Sequence, residues 1–104
     1  MTRKNRLRAK VKPFADHMAA IGDIHRMSII YLLAHGPLDV REILDYTGIA
    51  GSLTSHHLKV LFDAEWVSKR KYGKRIEYTL NPKAFGVLEK LFKDTEVGRE
   101  VWSS

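Results

Sequence analysis

The sequence predicts a mainly α-helical fold with a small β-hairpin wing, that is, a winged helix-turn-helix with the element order α-α-α-α-β-β-α. Two observations carry this prediction. Residues 38–64 contain two short helical patterns separated by a tight turn at Thr47-Gly48. Residues 66–80 then form two strand-like runs around Gly73, with five cations within seven residues. A helix pair followed by a basic hairpin is the arrangement that winged helix-turn-helix proteins present to DNA.

Length and charge limit the class of protein. A chain of 104 residues forms one domain, and a core of that size often gains stability by pairing with a second copy. The formal net charge of +6 suits a polyanionic partner such as nucleic acid. Six of the 18 Lys and Arg residues precede the first acid, Asp16, so residues 13–104 hold 12 cations and 12 acids. The positive charge is therefore concentrated at the N-terminus and in the hairpin.

Several classes of protein are excluded by what the sequence lacks. It has no cysteine, which excludes a disulfide scaffold, a thiol redox switch and a thiolate metal site. No apolar run approaches the ~20 residues that cross a bilayer. No apolar segment follows the basic N-terminus, as one would in a secretory signal. We therefore expect a cytoplasmic protein with no membrane partner.

The N-terminal third predicts a basic arm and two helices. Residues 1–8 are typical of a solvated basic arm, and the first helix is expected to begin near residues 7–10. Its apolar stripe repeats at steps of 3, 4 and 3 and consists of Val11, Phe14, Met18 and Ile21. Asp23 is placed to cap a second helix, which ends before Gly36-Pro37.

The next two helices form the predicted helix-turn-helix. Asp39 is an N-cap with Glu42 at the capping-box position, and Gly48 suits the left-handed end of this helix. The following helix covers about residues 51–64. Successive residues placed at 100° give an inward side of Thr54, His57, Leu58 and Leu61. The outward side is polar and consists of Ser52, Ser55, His56, Lys59 and Asp63.

A hairpin and a last helix complete the domain. Strands are predicted at 66–72 and 75–80, joined by a type II′ turn at Gly73-Lys74. In the second strand the residues that alternate inward are Ile76, Tyr78 and Leu80. Asn81 then caps a helix with Pro82 at its first position. The apolar face of this helix consists of Phe85, Leu88, Leu91 and Phe92. We expect the domain at residues 9–93 and a helical extension or tail at 94–104.

The outward side of the second helix and the hairpin together form a candidate DNA surface. The residues expected at the major groove are Gly51, Ser52, Ser55, His56 and Lys59, with glycine permitting close approach of the backbone. The residues expected at phosphates are Lys69, Arg70, Lys71, Lys74 and Arg75. The alternative is that these side chains are an ordinary solvated surface. Five neighbouring cations repel each other, however, and an anionic partner relieves that repulsion.

Neither a metal site nor an active site emerges from the sequence. His56 and His57 are adjacent and point about 100° apart on a helix, and the other three histidines lack the i, i+4 spacing of a helical zinc site. A site shared between two copies stays open. There is no phosphate-binding glycine loop and no positioned pair of nucleophile and base. We expect no cofactor and no enzyme activity.

The run TGIAGSLTSHHLKVLFDAEWVSKRKYGKRIEYTLNP resembles the helix-turn-helix and wing of the ArsR-type bacterial and archaeal transcription regulators. The resemblance covers residues 14–92. It implies a homodimer in which the first and last helices pair, a repressor that acts at the prokaryotic nucleoid, and double-stranded DNA with an imperfect inverted repeat. We call the contact between the two copies the dimer seam. Its candidate residues are Val11, Phe14, Met18, Ile21, Phe85, Leu88, Leu91 and Phe92, although some of them can instead complete the monomer core.

The sequence also departs from the family pattern. Asp39 and Arg41 stand where metal-sensing members carry thiolates, and no histidine follows His57. Ala50 replaces the usual polar cap before the recognition helix, and Glu65 stands where glycine is usual after it. The effector is therefore unknown. The alternative to a specific regulator is a winged-helix module that binds proteins, or nucleic acid without sequence preference.

Overall fold

The computed structural model of the chain describes residues 1–102 and confirms the winged helix-turn-helix. The elements are α1 (Arg3–Ala19), α2 (Ile24–Leu33), β1 (Leu38–Asp39), α3 (Val40–Thr47), α4 (Gly51–Asp63), β2 (Val67–Tyr72), β3 (Arg75–Leu80), a 3₁₀ turn (Pro82–Gly86), α5 (Val87–Phe92) and α6 (Glu96–Trp102). Within the described part of the chain, none of the helices combines the length and the apolar character that crossing a bilayer requires.

Helix α1 begins earlier than the sequence predicts. The Thr2 hydroxyl accepts a hydrogen bond from the Asn5 backbone N–H at 3.2 Å and caps the helix. The prediction that the first helix begins near residues 7–10 is therefore wrong, because Arg3 already lies in the helix. All residues up to Pro13 are nevertheless exposed, so the basic segment is a solvated helix. Pro13 lies inside α1, and the helix nevertheless begins at Arg3.

Helix α3 has the predicted capping box. The Asp39 carboxylate accepts from the Glu42 backbone N–H at 2.8 Å, and the Glu42 carboxylate accepts from the Asp39 backbone N–H at 3.1 Å. These two bonds satisfy donors that the first turn of a helix otherwise leaves without partners. Gly48 ends α3 at φ 67°, the left-handed conformation expected of it.

The wing is part of a three-stranded antiparallel sheet with the order β1-β3-β2. The hairpin register pairs Tyr72 with Arg75 around Gly73, whose φ of 57° fits the first central position of a type II′ turn. The third strand, β1, was not predicted because two residues carry no hydrophobic period. The inward orientation predicted for Ile76 is wrong: its side chain is exposed near the tip of the wing, whereas Tyr78 is buried.

The core lies between α2, α3, α4 and the base of the sheet. Its fully buried side chains include Ile29, Ile43, Leu58, Leu61 and Trp66. The end of α4 delivers Trp66 to this core through a Schellman motif, in which the Trp66 N–H donates to the Leu61 carbonyl oxygen at 2.9 Å. Glu65 occupies the left-handed position of the motif at φ 63°.

The C-terminal region differs from the single last helix that was predicted. Asn81 caps a 3₁₀ turn, its side chain accepting from the Lys83 backbone N–H at 3.2 Å, and α5 begins only afterwards. A second break separates α5 from α6, which returns so closely that a Cβ on Gly98 would lie 1.7 Å from the Phe92 carbonyl oxygen. The predicted extension at 94–104 is therefore a separate helix up to residue 102, and its last two residues lie outside the described part of the chain.

Candidate nucleic-acid interface

Helix α4 separates its two sides as the sequence predicts. The predicted inward residues are all buried and are Thr54, His57, Leu58 and Leu61. The predicted outward residues are all exposed and are Gly51, Ser52, Ser55, His56, Lys59 and Asp63. This pattern leaves a short face of small hydrogen-bonding groups on the surface, which is the kind of face that can approach base edges closely.

The N-terminus of α4 has no side-chain cap. Ala50 precedes the helix and makes no capping hydrogen bond. Nothing lies within 4 Å of the position that a Cβ would take on Gly51, so the backbone is open to an approaching group there. Backbone N–H groups at an open helix N-terminus favour a negatively charged group such as a phosphate.

The register of the wing divides its cations between two faces of the sheet. Lys69 lies opposite Tyr78 and Lys71 lies opposite Ile76, whereas Arg70 lies opposite Glu77. Directly opposed residues share a face and successive residues alternate. Lys69 and Lys71 therefore share one face, Arg70 and Arg75 share the other, and Lys74 lies in the turn. The five cations do not form one continuous charged surface.

Two of these cations contact aromatic rings. The Lys69 ammonium lies 4.4 Å from the centroid of the Phe62 ring on α4. The Arg70 guanidinium lies 4.7 Å from the centroid of the Tyr72 ring in its own strand. Both contacts are cation–π interactions of the exposed type, each contributing about 0.5–1 kcal/mol. The first of them ties the wing to the recognition helix.

Lys59 already has an acidic partner. Its ammonium lies 2.9 Å from the Asp63 carboxylate one turn later on α4. Both side chains are largely exposed, so the pair contributes little to stability. A phosphate can replace the carboxylate at low cost, and Lys59 remains a candidate contact.

Arg75 is held differently from the other wing cations. Its Nε donates to Asp39 Oδ2 at 2.9 Å and its Nη2 donates to the same oxygen, while Glu42 Oε1 lies 3.8 Å away. The Glu42 backbone N–H and, after it, the Arg75 guanidinium hold the pKa of the Asp39 carboxyl below its usual range. No local pattern predicts this pair, because it joins positions that are distant along the chain.

A polar junction supports α4 from behind. Arg26 Nη1 lies 3.2 Å from His57 Nδ1, and Arg26 Nε donates to the Ala20 carbonyl oxygen at 2.5 Å. Burial is the main cause that lowers the pKa of His57, the charge of Arg26 lowers it further, and Asp23 opposes both. A neutral His57 accepts the arginine bond at Nδ1. The junction thereby connects the inner side of α4 to the ends of α1 and α2.

The candidate residues of the dimer seam differ in their solvent exposure. Those that are exposed are Val11, Phe85, Leu88 and Phe92. Those that are half-buried are Phe14, Met18, Ile21 and Leu91. Met18 and Ile21 pack against the monomer core, so the alternative role applies at least to them. Leu7 was missed: it is 65% exposed and extends the stripe of α1 by a step of four residues before Val11.

The five histidines are candidate metal ligands. Among residues 1–102, no three His, Asp or Glu side chains are grouped closely enough to hold a metal ion. The rings of three histidines, His25, His56 and His57, are neighbours. The His57 centroid lies 5.5 Å from that of His25 and 5.8 Å from that of His56.

A helix-turn-helix with an exposed polar face beside a basic hairpin defines a winged helix-turn-helix protein of the regulatory class. The comparisons with known proteins agree. The family model described as "Bacterial regulatory protein, arsR family" matches residues 23–69. The transcriptional repressor SdpR of Bacillus subtilis is 37% identical over 62 residues, which cover 60% of this chain and 69% of that protein. The chain belongs to the ArsR family of transcriptional regulators, which are not enzymes.

Two further relatives extend this result. The HTH-type transcriptional regulator Rv2034 of Mycobacterium tuberculosis is 39% identical over 69 residues, which cover 66% of this chain but 64% of that protein. A solution structure from Mycobacterium bovis superposes with a TM-score of 0.67 at 25% identity and covers 98% of this chain and 90% of that chain. It is described as the homodimeric winged helix-turn-helix DNA-binding domain of a possible ArsR-family transcriptional regulator.

Proposed function

We propose that this chain is a dimeric, sequence-specific DNA-binding regulator, most simply a repressor that blocks a promoter. Its site of action is the nucleoid in a prokaryotic cytoplasm. One observation carries the proposal: the exposed polar face of α4 continues directly into the wing. Phe62 follows Ser55 by seven residues and so lies on the same side of α4, and the Lys69 ammonium lies over the Phe62 ring. One continuous surface thus offers groups for base edges and charges for phosphates.

The groove contacts are assigned to the first half of α4. Ser52, Ser55 and His56 are exposed and carry hydroxyl or imidazole groups that can donate to or accept from base edges. Lys59 follows one turn later and reaches a base or a phosphate after leaving Asp63. The open backbone at Gly51 suits a phosphate at the edge of the groove.

The phosphate contacts are assigned to the wing. Lys69 and Lys71 share the face of the sheet that holds Tyr78, and Lys74 lies at the tip. None of these three lies within ion-pair distance of an acid in the described part of the chain. Arg70 is stacked on Tyr72 and can reach a phosphate from the other face.

The dimer is assigned to α1 and α5. The exposed apolar residues Val11, Leu88 and Phe92 support it, since such residues in a small domain mark an interface when they are grouped. The homodimeric state of the Mycobacterium bovis domain supports it as well. A two-fold axis between the two recognition helices requires an inverted repeat with half-sites about one helical turn apart.

The proposal is tested by comparing two variants on two duplexes. Ser55→Ala is expected to weaken binding to a selected target duplex by about 1–3 kcal/mol and to leave a scrambled duplex unaffected. Lys74→Ala is expected to weaken binding to both duplexes and to reduce the slope of log affinity against log salt by about 0.9 for each wing of the dimer. Affinity is measured by fluorescence anisotropy.

Ser28→Ala is the matched control for the serine variant, because Ser28 is exposed on α2 and bonds only to the Ile24 carbonyl oxygen at 2.7 Å. If Ser55→Ala behaves like this control on both duplexes, α4 does not read bases. The remaining possibilities are then a nonspecific nucleic-acid binder, if the Lys74 variant still loses affinity, and a protein-binding module, if no duplex is bound at all.

A further inference from the structure

We propose that Arg75 is a positioning residue that fixes the wing against α3 through Asp39, and that it is not a phosphate contact. The proposal rests on the DNA-binding function inferred above and refines it, because it removes one residue from the phosphate-binding set and adds Asp39 as a second positioning residue. A sequence reading assigns all five wing cations the same role, whereas their surroundings differ.

The Asp39 carboxylate uses both of its oxygens. Oδ1 accepts from the Glu42 backbone N–H at 2.8 Å, and Oδ2 accepts from Arg75 Nε at 2.9 Å and from Nη2. The Asp39 side chain is only 11% exposed, in contrast to 65% for Asp16 in its pair with Lys12. Removing the guanidinium would leave a poorly solvated carboxylate short of a donor, which is costly. Arg75 is therefore held more firmly than a cation in a solvent-exposed pair.

The location of the pair explains what it does. Strand β1 contributes only two residues to the sheet, with Asp39 opposite Glu77 in β3. Arg75 is the first residue of β3, two positions nearer the tip. Its bond to Asp39 therefore extends the connection between α3 and the wing beyond the short β1–β3 ladder. Because α3 and α4 both pack against α2, the angle of the wing relative to α4 depends on this bond.

The ion pairs of Arg75 argue against a phosphate role for it. A phosphate would have to take the guanidinium from two carboxylates, Asp39 and Glu42. Lys74 at the tip has no such partner in the described part of the chain and remains free to reach a phosphate.

The test uses Arg75→Lys and Asp39→Ser in the full chain, with Lys74→Gln as the control. Lysine keeps the charge but cannot reproduce the two guanidinium bonds. Serine keeps a side-chain cap for α3 but is too short to hold Arg75. Melting followed by far-UV circular dichroism checks that each variant folds. Affinity for a target duplex is then measured over a series of salt concentrations.

If Arg75 positions the wing, Arg75→Lys and Asp39→Ser each weaken DNA binding about two- to fivefold. The slope of log affinity against log salt stays at the wild-type value in both variants. The double variant binds DNA no more weakly than either single variant. Lys74→Gln instead lowers the slope by about 0.9 for each wing of the dimer. If Asp39→Ser fails to fold, Arg75→Lys alone decides the matter.

Two other outcomes would overturn the inference in different ways. A variant Arg75→Lys that binds like wild type, together with a variant Arg75→Gln whose salt slope falls by about 0.9 for each wing of the dimer, makes Arg75 a phosphate contact while the regulator function stands. A wild-type chain that binds no duplex at any salt concentration rejects the DNA-binding function itself.

Discussion

Trp66 stacks on His17, with ring centroids 4.4 Å apart and ring planes inclined by 15°, and its indole N–H donates to the His17 carbonyl oxygen at 2.8 Å. The His17 imidazole also has both nitrogens close to carbonyl oxygens. Nδ1 lies 3.0 Å from the oxygen of Ala64, and Nε2 lies 2.9 Å from that of Ala84. A neutral ring can donate only one of these bonds, whereas an imidazolium donates both. One residue of α1 thereby joins the end of α4 to the 3₁₀ turn.

His17→Ala is expected to lower the free energy of unfolding by about 2–3 kcal/mol, because at least one carbonyl group loses a donor and Trp66 loses its stacking partner. The measurement is urea denaturation followed by tryptophan fluorescence. His35→Ala is the matched control, since His35 is exposed and its Nδ1 lies 2.9 Å from the Tyr31 carbonyl oxygen, while its ring makes an edge contact with the exposed Tyr31 ring. A change within about 0.5 kcal/mol is expected there. Equal effects in the two variants would contradict this role of His17.

Glu65 carries backbone strain that a glycine would relieve. It lies at φ 63°, where a side chain costs about 1–2 kcal/mol. Glu65→Ala keeps this strain and Glu65→Gly removes it. Glycine, however, loses more conformational entropy on folding than alanine does, which offsets about 0.5–1 kcal/mol of the gain. The glycine variant is therefore expected to be about 1 kcal/mol more stable than the alanine variant. Thermal or urea denaturation of the pair measures this difference, and a more stable alanine variant would contradict the assignment of the Schellman motif.

The sequence predicted the elements whose signals are local. The capping box of Asp39 and Glu42, the left-handed Gly48 and the two sides of α4 all follow from residues a few positions apart. The departure noted at Glu65 also proved structural, because that residue takes the conformation usually left to glycine.

What could not be predicted depends on contacts between distant parts of the chain. Strand β1 exists only because β3 pairs with it, and the Arg75–Asp39 bond requires that pairing. The break before α6 and the close approach of Gly98 to Phe92 likewise depend on tertiary packing. The helical start of α1 was missed for another reason: Thr2 is a good cap, but a run of cations suggested a solvated arm.

The lowered pKa of His57 predicts a pH dependence of stability. Burial and the neighbouring charge of Arg26 lower the pKa from the ordinary value of 6.5, with His25 and His56 adding to the effect and Asp23 opposing it. As the pH decreases below 6.5, His57 binds a proton more readily in the unfolded chain than in the folded protein. The free energy of unfolding therefore falls as the pH decreases. Above that value His57 is neutral in both states and contributes no slope.

The measurement is urea denaturation of the wild type and of His57→Gln between about pH 7.5 and about pH 5.5. Glutamine can still accept a bond from Arg26 but does not titrate. The wild type is expected to lose more stability on acidification than the variant does. Identical slopes in the two proteins would show that His57 is not the group responsible.

Leu88 tests the proposed dimer seam. Its side chain is 38% exposed on α5, and Leu88→Glu would bury a charge between the two copies. The variant is expected to sediment as a monomer at micromolar concentration, and the wild type is expected to sediment as a dimer. Ile76→Glu is the matched control, because Ile76 is equally 38% exposed but lies in the wing, on neither α1 nor α5, and should leave the dimer intact. A dimeric Leu88 variant would place the seam elsewhere.

The most direct test of the DNA-reading role is a selection. The purified protein is mixed with sheared genomic DNA from its own source at about 0.15 M salt, and the retained fragments are sequenced. The account predicts an imperfect inverted repeat near a promoter, with half-site centres about one helical turn apart. Fragments that share no sequence, or no retained fragments at all, would contradict it.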